Sequence, residues 1–161
     1  MEITHQLQPG DLGQIVKQHG LLYAKEFGYD YTFEAYVAEP LAQFAKRQNP
    51  RECIWLAKTD GSLVGSICIC EVSESVAQLR WYSVDPIARG RGLGKQLMDQ
   101  AIAFCQQQNY QKIILWTVDG LAVSKSLYLR YGFTVSHEDE RELWGKVQLE
   151  QCYEKDLSPA I

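Results

Sequence analysis

Six residues past the middle of the chain, Arg89 to Gly94, read R-G-R-G-L-G. Before them stands VAQLRWYSV, a strand-like run, then Asp85 and Pro86; after them LGKQLMDQAIAFC repeats its apolar residues at helical steps. A strand, a glycine turn and a helix in succession constrain the fold more than any other stretch, because glycines lose the most backbone freedom on ordering. What they offer in return is an anion site. The first amides of a helix lack internal partners and point along its axis. The helix dipole adds about half a positive charge there. Gly90, Gly92 and Gly94 let a ligand approach the backbone without meeting a Cβ, and Arg89, Arg91 and Lys95 surround it with charge. Phosphate or pyrophosphate fits best. The spacing is not that of a Walker A loop, since Gln96 follows Gly94-Lys95 where Ser or Thr is needed. Nor is it the G-x-G-x-x-G of a dinucleotide-binding turn.

The remaining elements frame this loop. Residues 3–7 read as a short strand, and GDLGQIVKQHGLLYAKEFG as a helix capped by Asp11 or the glycine before it. YTFEAYVAEPLAQFAKRQ is a second helix, with Pro40 as a kink site. Residues 52–84 read as a three-strand antiparallel meander turning at TDGS and SES. Residues 93–108 form an amphipathic helix, and KIILWTV is a strand covered on both faces. LAVSKSLYLRYGF is a helix ending at Gly132. Residues 133–138 and 147–155 read as two strands joined by a charged turn. The expected class is α+β, a three-layer α/β/α arrangement with helices flanking a mixed, mostly antiparallel sheet. At 161 residues, 46% of them apolar, residues 1–161 suit a single domain.

Sixteen basic against 20 acidic residues, a net charge of -4, argue against a nucleic-acid partner. MEITHQLQPGD lacks the basic-then-apolar pattern of a signal peptide, and no window approaches 18 apolar residues, so a cytoplasmic protein without a membrane contact is expected. The five cysteines are irregularly spaced and read as reduced thiols, with Cys68 and Cys70 sharing one face of a strand. His5, His19 and His137 are scattered, so no metal site is expected.

The R-x-x-G-x-G spacing after SVDP resembles the pyrophosphate motif of the GNAT superfamily, the Gcn5-related N-acetyltransferases. KIILWTV followed by LYLRYGF resembles that family's next strand and helix, and the resemblance spans the whole chain. The early block GDLGQIVKQHGLLYAKEFGYD is similar to the acetyltransferase half of bacterial MarR–acetyltransferase fusions, without their winged-helix half, so DNA binding is not implied. The resemblance implies a GNAT-like fold with acetyl-CoA as cosubstrate and no metal. It implies that the backbone of Tyr82, Ser83 and Val84 runs beside the pantetheine arm in a bulged strand, with Val84 N–H polarising the thioester carbonyl. The amides of Arg89, Gly90, Arg91, Gly92, Leu93, Gly94 and Lys95 would take the pyrophosphate. Tyr128, five residues before Phe133, would protonate the leaving thiolate, although its spacing alone fits a core tyrosine better. Where many family members carry an asparagine, this chain has Leu121; Ser124 or Lys125 would compensate.

An alkylammonium must lose a proton before it attacks a thioester. Glu71, at a strand end, is the expected base, a solvated strand-end charge being the equal alternative; Glu26 and Glu34 are weaker candidates. Tyr23, Phe27, Tyr29, Tyr31, Tyr36 and Trp144 would wall the acceptor side or belong to the core. The implied activity is acetyl transfer from acetyl-CoA to the primary amine of a small molecule or peptide, by direct attack in a ternary complex. The alternative is a non-catalytic sensor of CoA or acyl-CoA. Homodimers are common among such folds, and nothing in the sequence requires one.

Overall fold

Residues 52–84 do fold as an antiparallel meander, and the rest of the sheet is built outward from it. The structure is a computed structural model that describes residues 1–158, so the last three residues of the expected domain lie outside the described residues. In chain order the elements are β1 (Glu2–Thr4), α1 (Asp11–Phe27), α2 (Thr32–Arg47), β2 (Cys53–Thr59), β3 (Ser62–Glu71) and β4 (Val76–Val84). A single 3-10 turn (Pro86–Ala88) then leads to α3 (Leu93–Gln107), β5 (Lys112–Val118), α4 (Ala122–Arg130), β6 (Thr134–Leu143) and β7 (Lys146–Asp156). The strands form one seven-stranded sheet in the order β1-β2-β3-β4-β5-β7-β6. Among the described residues only the β4–β5 pair is parallel.

Strand alternation sorts side chains into two cores. Trp55, Ala57, Ile67, Ile69, Ile113 and Leu115 pack with Leu93, Leu97, Met98 and Ala101 of α3. Ile54, Leu56, Cys68, Cys70 and Trp81 face Ile15 of α1 and Phe33, Val37, Leu41 and Phe44 of α2. The layers are therefore α1/α2, sheet, α3/α4, as expected. Cys68 and Cys70 share the α1/α2 face, with their sulfurs 3.9 Å apart. Among the described residues no helix is long and apolar enough to cross a membrane.

Three boundaries differ from the sequence reading. The first strand stops at Thr4, where the Thr4 hydroxyl accepts the Gln6 amide at 3.3 Å and turns the chain. The last helix stops at Arg130, and Gly132 turns left-handed at φ 86° behind it. α2 runs through Pro40 as one helix, because the buried stripe Phe33-Val37-Leu41-Phe44 continues across it and its packing outweighs one lost backbone bond. The expected charged turn is strand instead: β6 and β7 run on to a two-residue turn at Trp144–Gly145, both left-handed (φ 54° and 87°). Such a turn matches the twist of its hairpin. The acidic residues then line the exposed outermost strand β6, where charge discourages edge-to-edge pairing.

Candidate active site

β4 and β5 start as partners and then part. They pair only at Val76↔Lys112, Ala77↔Ile113 and Gln78↔Ile114, yet β4 continues to Val84 and β5 to Val118. β5 keeps its other partner throughout, from Lys112↔Asp156 to Val118↔Glu150. The break coincides with a bulge. Opposite β3, the register passes from Cys68↔Arg80 to Ser66↔Ser83, so Ile67 alone faces both Trp81 and Tyr82. Trp81 holds a left-handed φ of 48°, a costly conformation for a side chain of its size. It is stabilised by burial of the indole against Phe44, with ring centroids 5.9 Å apart, and by the Ser66 hydroxyl, which donates to the Trp81 carbonyl at 2.6 Å.

The bulge shifts which face each later residue serves. Arg80, opposite Cys68, and Trp81 both face α1/α2, while Tyr82 and Val84 face α3. Asp85 donates its N–H to Val64 O in β3 at 2.8 Å. Backbone groups alternate along a strand, so the Val84 N–H points the other way, into the gap.

The glycine loop closes one end of that gap. Gly90 and Gly92 are left-handed (φ 79° and 78°), and Gly92 caps α3. The first helical bond is Gln96 N–H to Gly92 O at 3.0 Å, which leaves the amides of Leu93, Gly94 and Lys95 open. Tyr82 donates its hydroxyl to Gly94 O at 2.7 Å, and a Cβ at position 94 would lie 2.8 Å from that hydroxyl. Arg89 is braced by Val84 O (3.1 Å) and by Glu26 (2.8 Å). Lys95 reaches outward to Asp99 at 3.1 Å. Arg91 is exposed and does not line the cleft. The cleft along this edge has a volume of about 720 Å³ and runs from Arg89 and the α3 N-terminus past Ser83 and Val84 to Ser124 and Leu127.

A second, smaller cavity of about 100 Å³ opens on the far side of the gap and shares Tyr23, Tyr82, Leu121 and Ser124 with the first. Tyr128 lines it, packed on Tyr153 and Phe133 (centroids 5.7 and 5.9 Å), and its hydroxyl makes no hydrogen bond among the described residues. Burial, with neighbouring tyrosines adding to it, pushes the Tyr128 phenol well above its usual pKa, so it holds its proton. Tyr23, Tyr29, Tyr36 and Trp144 of the expected aromatic wall line this cavity; Phe27 lines the larger cleft, and Tyr31 is 81% exposed.

Two lining residues escaped the sequence reading. His19 is 3% exposed; its Nδ1 donates to Ile15 O at 2.9 Å, and its Nε2 is buried without a partner. Burial lowers its pKa to about 4, against a smaller opposing effect of that backbone bond. The sequence showed it only as one member of a helical stripe. Arg80 is the other; the alternation of polar Gln78 and Arg80 with apolar neighbours was its only signal.

Glu71 is not brought to the gap. It pairs with Ala77 at the far end of β4, seven residues and roughly 20 Å from Val84. There it forms an ion pair with Arg51 and accepts from Asn49 Nδ2 at 3.3 Å. Its role in the fold is to tie the β3–β4 end to the chain after α2. Glu71→Gln is expected to cost about 1 kcal/mol in urea unfolding. Lys125 turns to Asp119 at 3.9 Å and lines neither cavity. Glu34 lies over Gly20 on the outer side of α1 and α2, away from both cavities, and Glu26 is taken by Arg89.

A mixed sheet forked between its two parallel strands, with an anion cradle at the fork, is the architecture of acyl-CoA N-acyltransferases, and comparison with known proteins agrees. The Acetyltransferase (GNAT) family matches residues 20–133, more than half of the chain, and the chain belongs to that family. Among curated relatives, N-acetylaspartate synthetase of Xenopus tropicalis is 32% identical over 94 residues, 58% of this chain and 34% of that protein. The chain thus spans about a third of that relative's length. Ribosomal-protein-alanine N-acetyltransferase from Brucella melitensis superposes with a TM-score of 0.78 at 18% identity, covering 98% of this chain and 100% of that one. The protein yncA from Salmonella typhimurium, solved with its cofactor acetyl-CoA, superposes with a TM-score of 0.77 at 16% identity, covering 99% and 95%.

Proposed function

We propose that residues 1–161 act as a single domain, an acetyl-CoA-dependent N-acetyltransferase that acetylates a primary amine by direct attack in a ternary complex. The observation that carries this reading is the fork between β4 and β5, which opens to a glycine-framed cleft on one side and an aromatic cavity on the other. Bound acetyl-CoA supplies an activated acyl group on a thiolate leaving group. Open amides at the start of α3 hold the pyrophosphate, and the left-handed Gly90 and Gly92 aim them. The free edge of Tyr82, Ser83 and Val84 lies along the pantetheine arm. Val84 N–H, pointing into the gap, stabilises the developing oxyanion by about 3 kcal/mol, the usual worth of one such donor. Tyr128 gives its proton to the departing thiolate and takes one back from the attacking nitrogen as that becomes the amide, so no anion persists in the dry surroundings. Glu150, the one carboxylate lining the aromatic cavity, pairs with Arg141 at 3.0 Å, so the incoming ammonium sheds its proton to solvent.

Titration calorimetry with acetyl-CoA, and with ATP and NAD as controls, tests this reading. Acetyl-CoA alone is expected to bind, and Gly92→Ala is expected to weaken it about 5- to 30-fold, since an L-residue resists φ 78° by about 1–2 kcal/mol. Preference for ATP would overturn the proposal. The alternative, a sensor without turnover, draws on Leu121, which stands at the N-cap of α4 with no side-chain cap. A binding protein that acetylates no amine in a broad screen would favour it.

A further inference from the structure

Arg80 sits in the aromatic cavity as a cation without an anion. It is the one lysine or arginine lining that cavity, and among the described residues it has no ion-pair partner. Its guanidinium stands 5.0 Å over the Trp81 ring, beside Tyr36. Glu150, the one carboxylate among the lining residues, is paired with Arg141, and His19 presents a neutral ring. A half-buried guanidinium with no ion-pair partner keeps donors to spare, and a carboxylate that the planar group grips through two parallel bonds would meet them. The bulge at Trp81 contributes directly, since it keeps Arg80 and Trp81 on the acceptor side while Tyr82 and Val84 turn to the cleft.

We propose that the acceptor is a small amine that also carries a carboxylate, and that Arg80 binds that carboxylate while the amino group faces the fork. This rests on the acetyltransferase reading. The cavity's volume of about 100 Å³ suits a small molecule. His19 Nε2, an acceptor with no partner inside the protein, lines the same space and suits an ammonium or amine N–H.

The test is thiol release from acetyl-CoA with matched acceptors: L-leucine against 3-methylbutylamine, L-phenylalanine against 2-phenylethylamine, and γ-aminobutyrate against propylamine. Each is run with the unaltered protein, Arg80→Gln and Arg80→Lys. The expected result is that kcat/KM favours at least one amino-carboxylate over its partner amine by about 10- to 100-fold. Arg80→Gln should erase that preference through KM, and Arg80→Lys should restore part of it. Circular dichroism melts and acetyl-CoA calorimetry on each variant separate loss of the acceptor site from loss of the fold. Equal or better transfer to amines without a carboxylate would overturn the inference, as would transfer to none of these acceptors by a protein that binds acetyl-CoA. Failure to bind acetyl-CoA would instead overturn the acetyltransferase reading, and this inference with it.

Discussion

Tyr128→Phe is expected to lower kcat for acetyl transfer by about 10²- to 10⁴-fold while acetyl-CoA affinity changes by less than about twofold. The substitution removes one hydroxyl and keeps the ring that packs against Tyr82, Phe133 and Tyr153. That hydroxyl makes no hydrogen bond within the described chain, so its loss leaves no orphaned partner and costs little stability. Burial keeps the phenol protonated at working pH, which suits a donor. The measurement pairs thiol-release kinetics with calorimetry on the same preparation. Turnover within threefold of the unaltered protein would dismiss Tyr128 as the proton donor and return it to the core, where its spacing alone had put it.

His19 carries the second large effect, on stability against acid. Its folded value of about 4 lies below the 6.5 of an unperturbed histidine. Between those two values the unfolded chain binds a proton that the folded chain refuses, so stability is complete above about pH 6.5 and falls as pH drops toward 4. Each pH unit between them is worth about 1.36 kcal/mol, or about 3 kcal/mol across the whole window. Urea unfolding at pH 7 and pH 5 should therefore show the unaltered protein losing about 2 kcal/mol more than His19→Leu does. Parallel losses in the two proteins would mean that the histidine titrates normally in the folded state. The same burial leaves Arg80 as the one cation among the residues lining its cavity.

The parts of the site that lie contiguous in the chain were legible in the sequence. R-G-R-G-L-G announces its own geometry, because left-handed turns and open helix amides follow from local chemistry. The alternation of β2 to β4 and the helical stripes of α1 to α3 were equally plain, and with them the two-faced sheet. What escaped was set at a distance. Glu71 looked like a site carboxylate because it ends a strand, but which end meets the glycine loop depends on strand direction, and β3 runs antiparallel to β4. The last hairpin was cut short because DEREL reads as a turn by composition, whereas Trp144–Gly145 makes the turn by conformation. Arg80 and His19 become neighbours of one cavity only when α1 is laid against β4, a pairing that no local pattern encodes.

The extra residue at Trp81 also changes how β4 must be compared with other strands. It acts as a frameshift in odd–even parity: positions up to Arg80 are counted in one phase and those from Tyr82 in the other. On the proposed function one strand then serves two ligands, with Arg80 toward the acceptor and Val84 toward the cofactor. An alignment that slides a gap across Trp81 keeps every letter nearly matched and exchanges the two addresses. Substitutions at 80 and 84, nominally on one face, should on that reading be taken as changes to different ligands.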